Sequence, residues 1–348
     1  MKLGTFFIQE RMATHNVIGI SLAVVNHCKI SHTECFGLLE AHSTKRVETS
    51  SLFNACSVSK FLTSVLVMTL VEKGNLDLDR DVNEFLTSWK LSNKLFMNHK
   101  VTLRYLLSHQ SGIVDPIDSF GQLDQIDTDP PSMVELLKGK TVYCKEPIQV
   151  TYKPGSDFQY SDAGFCIIEQ IVEDVTGMNF HEVMNDFIFK PLNMNRSTTD
   201  FTRLTAFSGE IASGHHKTGE KVKENDMIYP YAAASGLWTT PTDLSLFMMD
   251  FLKSMKNESK IGLSASSAMK IISSYGDREW TGLGVFLERS GKHFKVFSLG
   301  WGVGFQCMMA LYPKLENGVI IMTNTDLGVH QDEGIIGDII RSLTLDNS

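Results

Sequence analysis

Apolar and polar positions follow different rhythms in different parts of this chain, and the contrast predicts its elements. Ile18-Gly19-Ile20-Ser21-Leu22-Ala23-Val24-Val25 is an almost unbroken apolar run of strand length, the pattern of a buried strand. A polar turn at Asn26-His27 leads to a return strand from Lys29 toward Phe36-Gly37. Near the C-terminus Gly282 to Glu288, Phe305 to Tyr312 and Gly318 to Thr323 read as three more strands. The turn between the last two contains Pro313 and Asn317-Gly318, and an amphipathic helix follows, roughly Asp332 to Leu343. From Leu78 to about Leu204 the spacing is mostly helical, with loops at Pro116, Pro130-Pro131 and Pro154-Gly155. Strands at both ends with helices between predict an α+β fold: one antiparallel sheet from both termini, flanked by helices and interrupted by a mostly helical insertion. On this reading residues 1–78 and 205–348 make an α/β part and 79–204 a helical subdomain of a single unit. No repeat or low-complexity segment interrupts it.

One helix departs from the amphipathic pattern. Phe61-Leu62-Thr63-Ser64-Val65-Leu66-Val67-Met68-Thr69-Leu70-Val71 carries no polar group besides small hydroxyls and stops at Glu72-Lys73-Gly74. A helix apolar on all sides is buried. It opens with Ser57-Val58-Ser59-Lys60. Residues three apart share a helix face, so the Ser57 hydroxyl and the Lys60 amine come within reach of each other. Burial disfavours the charged ammonium, lowers the lysine pKa and makes it a base, while the helix N–H groups beside Ser57 suit an oxyanion. These are the parts of an activated serine. Helix capping explains the serine equally well, since Ser57 and Ser59 are both good N-cap residues.

Composition narrows the classes without choosing one. The chain has 348 residues, 43% hydrophobic and 21% charged, ordinary values for a globular protein. A net charge of -8 and a pI near 5.8 argue against nucleic acid and anionic membrane surfaces as partners. Apolar runs are too short or interrupted to span a bilayer. Met1 to Arg11 lacks a long apolar core and a small-residue cleavage site, and reads as an amphipathic helix of the fold. A cytoplasmic location is therefore expected for the chain as it stands, and a periplasmic or secreted one if a leader was removed. Cys28, Cys35, Cys56, Cys144, Cys166 and Cys307 lack zinc or CxxC spacing, so free thiols are expected.

A second segment, Lys153-Pro154-Gly155-Ser156-Asp157-Phe158-Gln159-Tyr160-Ser161-Asp162-Ala163-Gly164-Phe165, delivers Tyr160 to the start of an apolar helix that ends at Thr176-Gly177. Alone it is a buried aromatic beside a cap at Ser161 or Asp162. Beside Ser57 and Lys60, the phenol is a candidate proton shuttle.

Phe53-Asn54-Ala55-Cys56-Ser57-Val58-Ser59-Lys60 resembles the Ser-x-x-Lys motif of serine β-lactamases and penicillin-binding proteins. Tyr160-Ser161-Asp162, about 100 residues on, resembles the Tyr-x-Asn motif of the class C-like branch, which includes D,D-carboxypeptidases, D-aminopeptidases and related esterases. The resemblance extends over Val101–Ile113, Phe189–Met194, Ala234–Leu244 and Gly304-Phe305, and so over nearly the whole chain. It implies a β-lactamase/transpeptidase-like fold and acyl-enzyme chemistry. Ser57 is then the nucleophile, Lys60 and Tyr160 move its proton, and the backbone N–H groups of Ser57 and Trp301 hold the oxyanion.

The third family motif, Lys-Thr-Gly or His-x-Gly on a strand walling the site, has a literal copy at Lys217-Thr218-Gly219, in a polar stretch that reads as a surface turn. The matching place is Ser298-Leu299-Gly300, ahead of Trp301. The family's cation, which helps bind a carboxylate, is replaced there by Ser298, which donates a hydrogen bond but no charge. That implies an uncharged acyl substrate, closer to the esterases. Asp162 stands where the family has asparagine, and it either pairs with Lys60 and raises its pKa or binds an amine on the substrate.

His109 is assigned a hydrogen-bonding role, His215-His216 lack a third metal ligand, Cys56 reads as a buried thiol, and Leu246-Phe247-Met248-Met249 as helix core. The expectation is a serine hydrolase for a small-molecule ester, amide or peptide, with no cofactor or metal. Two alternatives stand beside it: a D-amino-acid peptidase or weak β-lactamase, and a penicillin-recognising or scaffold homologue that turns over little.

Overall fold

A computed structural model describes residues 5–121, 131–223, 229–289 and 293–345. Its main sheet has six strands, all neighbours antiparallel, in the order β2-β1-β8-β7-β6-β5. The strands are β1 Gly19–Asn26, β2 Lys29–Gly37, β5 Phe286–Glu288, β6 Lys295–Gly302, β7 Phe305–Tyr312 and β8 Asn317–Thr323. A separate pair, β3 Phe53–Asn54 and β4 Trp238–Thr239, lies beside the Ser57 turn. Both termini thus meet in one sheet, β1 pairing β8 from Ile20↔Thr323 to Val25↔Gly318.

The central strands are apolar throughout because helices cover both faces. On β7 and β8, Met308, Ala310, Val319 and Ile321 pack with Ile8, Met12, Ile335, Ile336 and Ile339 from the helices Thr5–His15 and Ile335–Leu345. Their neighbours Cys307, Met309, Leu311, Ile320 and Met322 face the larger core with the Ser59–Glu72 and Pro241–Ser254 helices. Every residue from Ser59 to Leu70 is buried, as the all-round apolar pattern requires. Phe61 meets Phe247 and Phe251 edge-to-face with ring centroids 5.1 and 5.0 Å apart, and Met248 is buried beside them. Gly74, at φ +74°, takes the left-handed conformation two residues beyond the helix.

Between 79 and 204 the described elements are helices and loops. Loops occupy more of 79–132 than the spacing suggests, broken by a short Leu103–Leu107 helix, and Pro130 falls outside the described residues. The long helix here is Asp162–Thr176, capped by the Ser161 hydroxyl and closed by Gly177 at φ +69°. Of the predicted Gly282–Glu288 strand only Phe286–Glu288 pairs, because Leu283 N–H goes to Ile271 O and Gly284 N–H to Leu107 O. The final helix begins at Ile335 rather than Asp332, after a 3₁₀ turn at Gln331–Glu333. Among the described residues no helix is long and apolar enough to cross a membrane, and all six cysteines are free.

The pattern of apolar residues did not mark β6, because Ser298, Gly300 and Gly302 break its run. The two glycines let the turn before Ser57 lie against the strand. A Cβ on Gly300 would stand 2.2 Å from Ala55 O, and one on Gly302 would stand 2.7 Å from Cys56 Sγ. Gly300→Ala is therefore expected to cost about 1–3 kcal/mol in urea unfolding and to displace the turn. An unchanged unfolding midpoint would show that the close approach has no structural weight.

Candidate active site

The Ser57 turn is held in a conformation its own residues do not favour. Cys56 has φ +48°, and its N–H donates to Asn54 Oδ1 at 2.7 Å. Ser59 Oγ donates to Cys56 O at 2.6 Å and accepts Leu237 N–H at 3.1 Å, while Ala55 N–H donates to Leu237 O at 2.8 Å. A 3₁₀ turn at Cys56–Val58 then runs into the Ser59–Glu72 helix, and neither start carries a side-chain cap. The capping explanation for Ser57 is thereby removed. Its hydroxyl instead accepts from Lys60 Nζ at 3.0 Å.

Lys60 is 2% exposed and donates to three oxygens: Ser57 Oγ at 3.0 Å, Ala234 O at 3.0 Å and Asp162 Oδ1 at 2.5 Å. Its Nζ also lies 4.9 Å from the Tyr160 ring centroid. Burial pushes the lysine pKa down, but the Asp162 carboxylate and then Tyr160 outweigh it and hold Lys60 above its ordinary value. The lowered pKa anticipated from burial alone is thus reversed, and of the two roles foreseen for Asp162 the pairing with Lys60 is the one observed. Linkage follows from the sign. The pair's stabilisation is present below the ordinary lysine pKa and is lost as pH rises through the folded value.

Burial raises the Tyr160 pKa, partly offset by the nearby Lys60 ammonium. Its ring stacks on His109 with centroids 4.3 Å apart. His109 Nδ1 accepts Ser161 N–H at 3.2 Å, and burial, then the Lys60 charge, keep the ring neutral.

Several supporting groups escaped the sequence reading. Asp115 accepts from Ser161 Oγ at 2.6 Å, Asp162 N–H at 2.8 Å and Ala163 N–H at 3.0 Å, so a carboxylate pins the helix start that carries Asp162. Burial and then the Asp162 charge raise its pKa. Glu169, buried in the same helix with its pKa raised by burial, accepts Ala233 N–H at 2.8 Å and so braces the turn that offers Ala234 O to Lys60. A charged letter inside the apolar Phe165–Val175 run was the available signal for Glu169.

A cleft of about 220 Å³ opens at Ser57, lined also by Asp162, Tyr229, Ser235, Trp301 and Asp326. Pairing of β5 with β6 ends at Phe297, so β5 leaves one edge of Ser298–Gly302 uncovered. Trp301 is 45% exposed, whereas Ser298 is 3% exposed and neither it nor Gly300 lines the cleft. Lys217-Thr218 lies on an exposed turn closed by Gly219 N–H to His216 O. His215 is buried with both ring nitrogens engaged, by Asn324 O and Ala41 N–H.

A family model described as Beta-lactamase matches residues 7–337. The chain belongs to the beta-lactamase family. Its fold is the β-lactamase/transpeptidase-like one. It is similar to the octameric penicillin-binding protein homologue from Pyrococcus abyssi, with TM-score 0.77 and 23% identity over 92% of this chain and 73% of that one. A D-alanine carboxypeptidase AmpC from Burkholderia cenocepacia superimposes with TM-score 0.72 at 18% identity, covering 92% and 93% of the two chains. "Protein flp" of Staphylococcus aureus (strain N315) is 21% identical over 325 residues, 91% of this chain, and the match spans only 61% of that relative's length.

Within this beta-lactamase family site, Asp162→Asn leaves burial as the main influence on Lys60. The limb of the pH–rate profile on which Lys60 loses its proton is expected to move to lower pH, read from fluorophosphonate labelling of Ser57 across pH. A limb that stays in place, or moves to higher pH, would contradict the assigned role of the pair.

Proposed function

We propose that the protein is a serine hydrolase that forms an acyl-enzyme on Ser57 and cleaves an ester or amide of a small acyl substrate that carries no carboxylate. The observation that carries this reading is the Lys60 ammonium, shared between Ser57 Oγ and Asp162. When Lys60 passes a proton to Asp162 across 2.5 Å, its free amine faces the Ser57 hydroxyl. Ser57 Oγ then bonds to the substrate carbonyl carbon as its proton moves to Lys60, and the carbonyl π pair moves onto oxygen. Backbone N–H groups of Ser57 and Trp301 receive that oxyanion. As the tetrahedral centre collapses, Tyr160 protonates the leaving group and is reprotonated from Lys60. Water repeats the sequence to release the acid.

Ser298 offers no charge where the family resemblance places a cation, and this counts against β-lactams and D-Ala termini. Phe120, Tyr229, Trp301 and Val303 give the cleft apolar surface suited to a short acyl chain.

Ser57→Ala is expected to abolish fluorophosphonate labelling and to lower hydrolysis of short p-nitrophenyl esters by about a thousandfold or more. Full hydrolysis by the variant would overturn the mechanism. Stoichiometric acylation without turnover would mark a recognition homologue instead. In a substrate panel, nitrocefin and D-Ala-D-Ala peptides are expected to fall well behind the esters.

A further inference from the structure

Two carboxylates line the cleft beside Ser57, with one imidazole, His216, which is bridged to Asp326 through the backbone; among the described residues no lysine or arginine lines it. The two carboxylates are not equivalent. Asp162 is spent on Lys60 at 2.5 Å, so that pair is neutral as a unit. Asp326 forms no ion pair among the described residues, and it lines the cavity.

Asp326 is also rigidly mounted. Its N–H donates to His215 O at 2.8 Å, and His215 is itself buried and fixed at both ring nitrogens. Its Oδ1 accepts the Trp301 indole N–H at 2.8 Å and Gly328 N–H at 2.9 Å. The donors to this carboxylate oxygen, an indole and a backbone N–H, are neutral. The same bond from Nε1 fixes the indole of Trp301, which remains 45% exposed at the cavity. A carboxylate with an aromatic face tied to it is suited to an ammonium, which gains from the charge and from the ring. The anion-binding polarity that the family resemblance would place on this wall is inverted: Ser298 brings no cation and Asp326 brings an anion.

We propose that the cleft selects substrates bearing an ammonium group, seated against the Asp326 carboxylate and the Trp301 indole while Ser57 attacks the ester or amide. The proposal rests on the hydrolase reading above for its chemistry but not for its binding site. It is tested with isosteric pairs that differ only in charge. Acetylthiocholine against 3,3-dimethylbutyl thioacetate places the cation on the leaving group. The p-nitrophenyl esters of 4-aminobutanoic and pentanoic acid place it on the acyl group. In at least one pair the cationic member is expected to have a kcat/KM about tenfold or more higher. Asp326→Asn keeps an acceptor for the indole and Gly328 but removes the charge, and that ratio is expected to fall toward one. A preference for the neutral member in both pairs, or a ratio unmoved by Asp326→Asn, would overturn the proposal. Binding is read separately by calorimetry on the Ser57→Ala protein, titrating choline against 3,3-dimethylbutanol. Choline is expected to bind more tightly, and to lose that advantage when Asp326→Asn is added. If Ser57→Ala hydrolyses fully yet choline retains its advantage, the hydrolase reading falls and the ammonium site stands. If Ser57 is essential but choline has no advantage, the reverse holds.

Discussion

A buried ammonium organises the site. Removing a lysine charge from water costs several kcal/mol unless the interior replaces its hydration. For Lys60 the replacement comes from three separate stretches of chain: Ser57 one helical turn earlier, Asp162 at the head of the Asp162–Thr176 helix, and Ala234 O from the short Ala232–Ser235 helix. Each partner is in turn supported. Asp115 ties down the backbone that presents Asp162, Glu169 holds the N–H of Ala233, and Ser59 links the Cys56 carbonyl to Leu237. Ser57 is thus one corner of a network whose other corners must be in place before the lysine can be buried.

The same network sets the proton inventory. Because Asp162 and then Tyr160 together outweigh burial at Lys60, the resting Lys60–Asp162 contact is an ion pair. Tyr160 stays a phenol in this setting, and His109 beneath it stays neutral, so neither adds a competing charge. Electrostatics at the serine and electrostatics of the outer cleft are separate: the first is balanced internally, and the second is left to Asp326 and the indole it holds.

Much of the architecture was legible because it depends on short-range periodicity. The all-round apolar run after Lys60 had to be an interior helix, the runs at 18–25, 305–312 and 318–323 had to be buried strands, and three-residue spacing put Ser57 beside Lys60. β6 did not show itself in this way, since the glycines that admit the Ala55-Cys56 turn also erase its strand pattern. Only the family resemblance pointed to that segment. Asp115 and Asp326 look in sequence like ordinary polar loop residues, and Glu169 like a stray charge in an apolar helix.

The sequence by itself determined the interior helix after Lys60, the buried strands at both ends of the chain, and which serine and lysine lay one turn apart, because backbone geometry repeats over a few residues whatever the rest of the chain does. The direction of the Lys60 pKa shift, the removal of Ser57 from a capping role and the charge of the cleft were decided by the tertiary structure alone. Each depends on a distance of a few ångströms between groups far apart in the chain, where Coulomb and desolvation energies of comparable size oppose each other. Placing Asp162 2.5 Å from Lys60, and Asp326 in the lining of the same cleft as Ser57, settled balances that spacing along the chain leaves open.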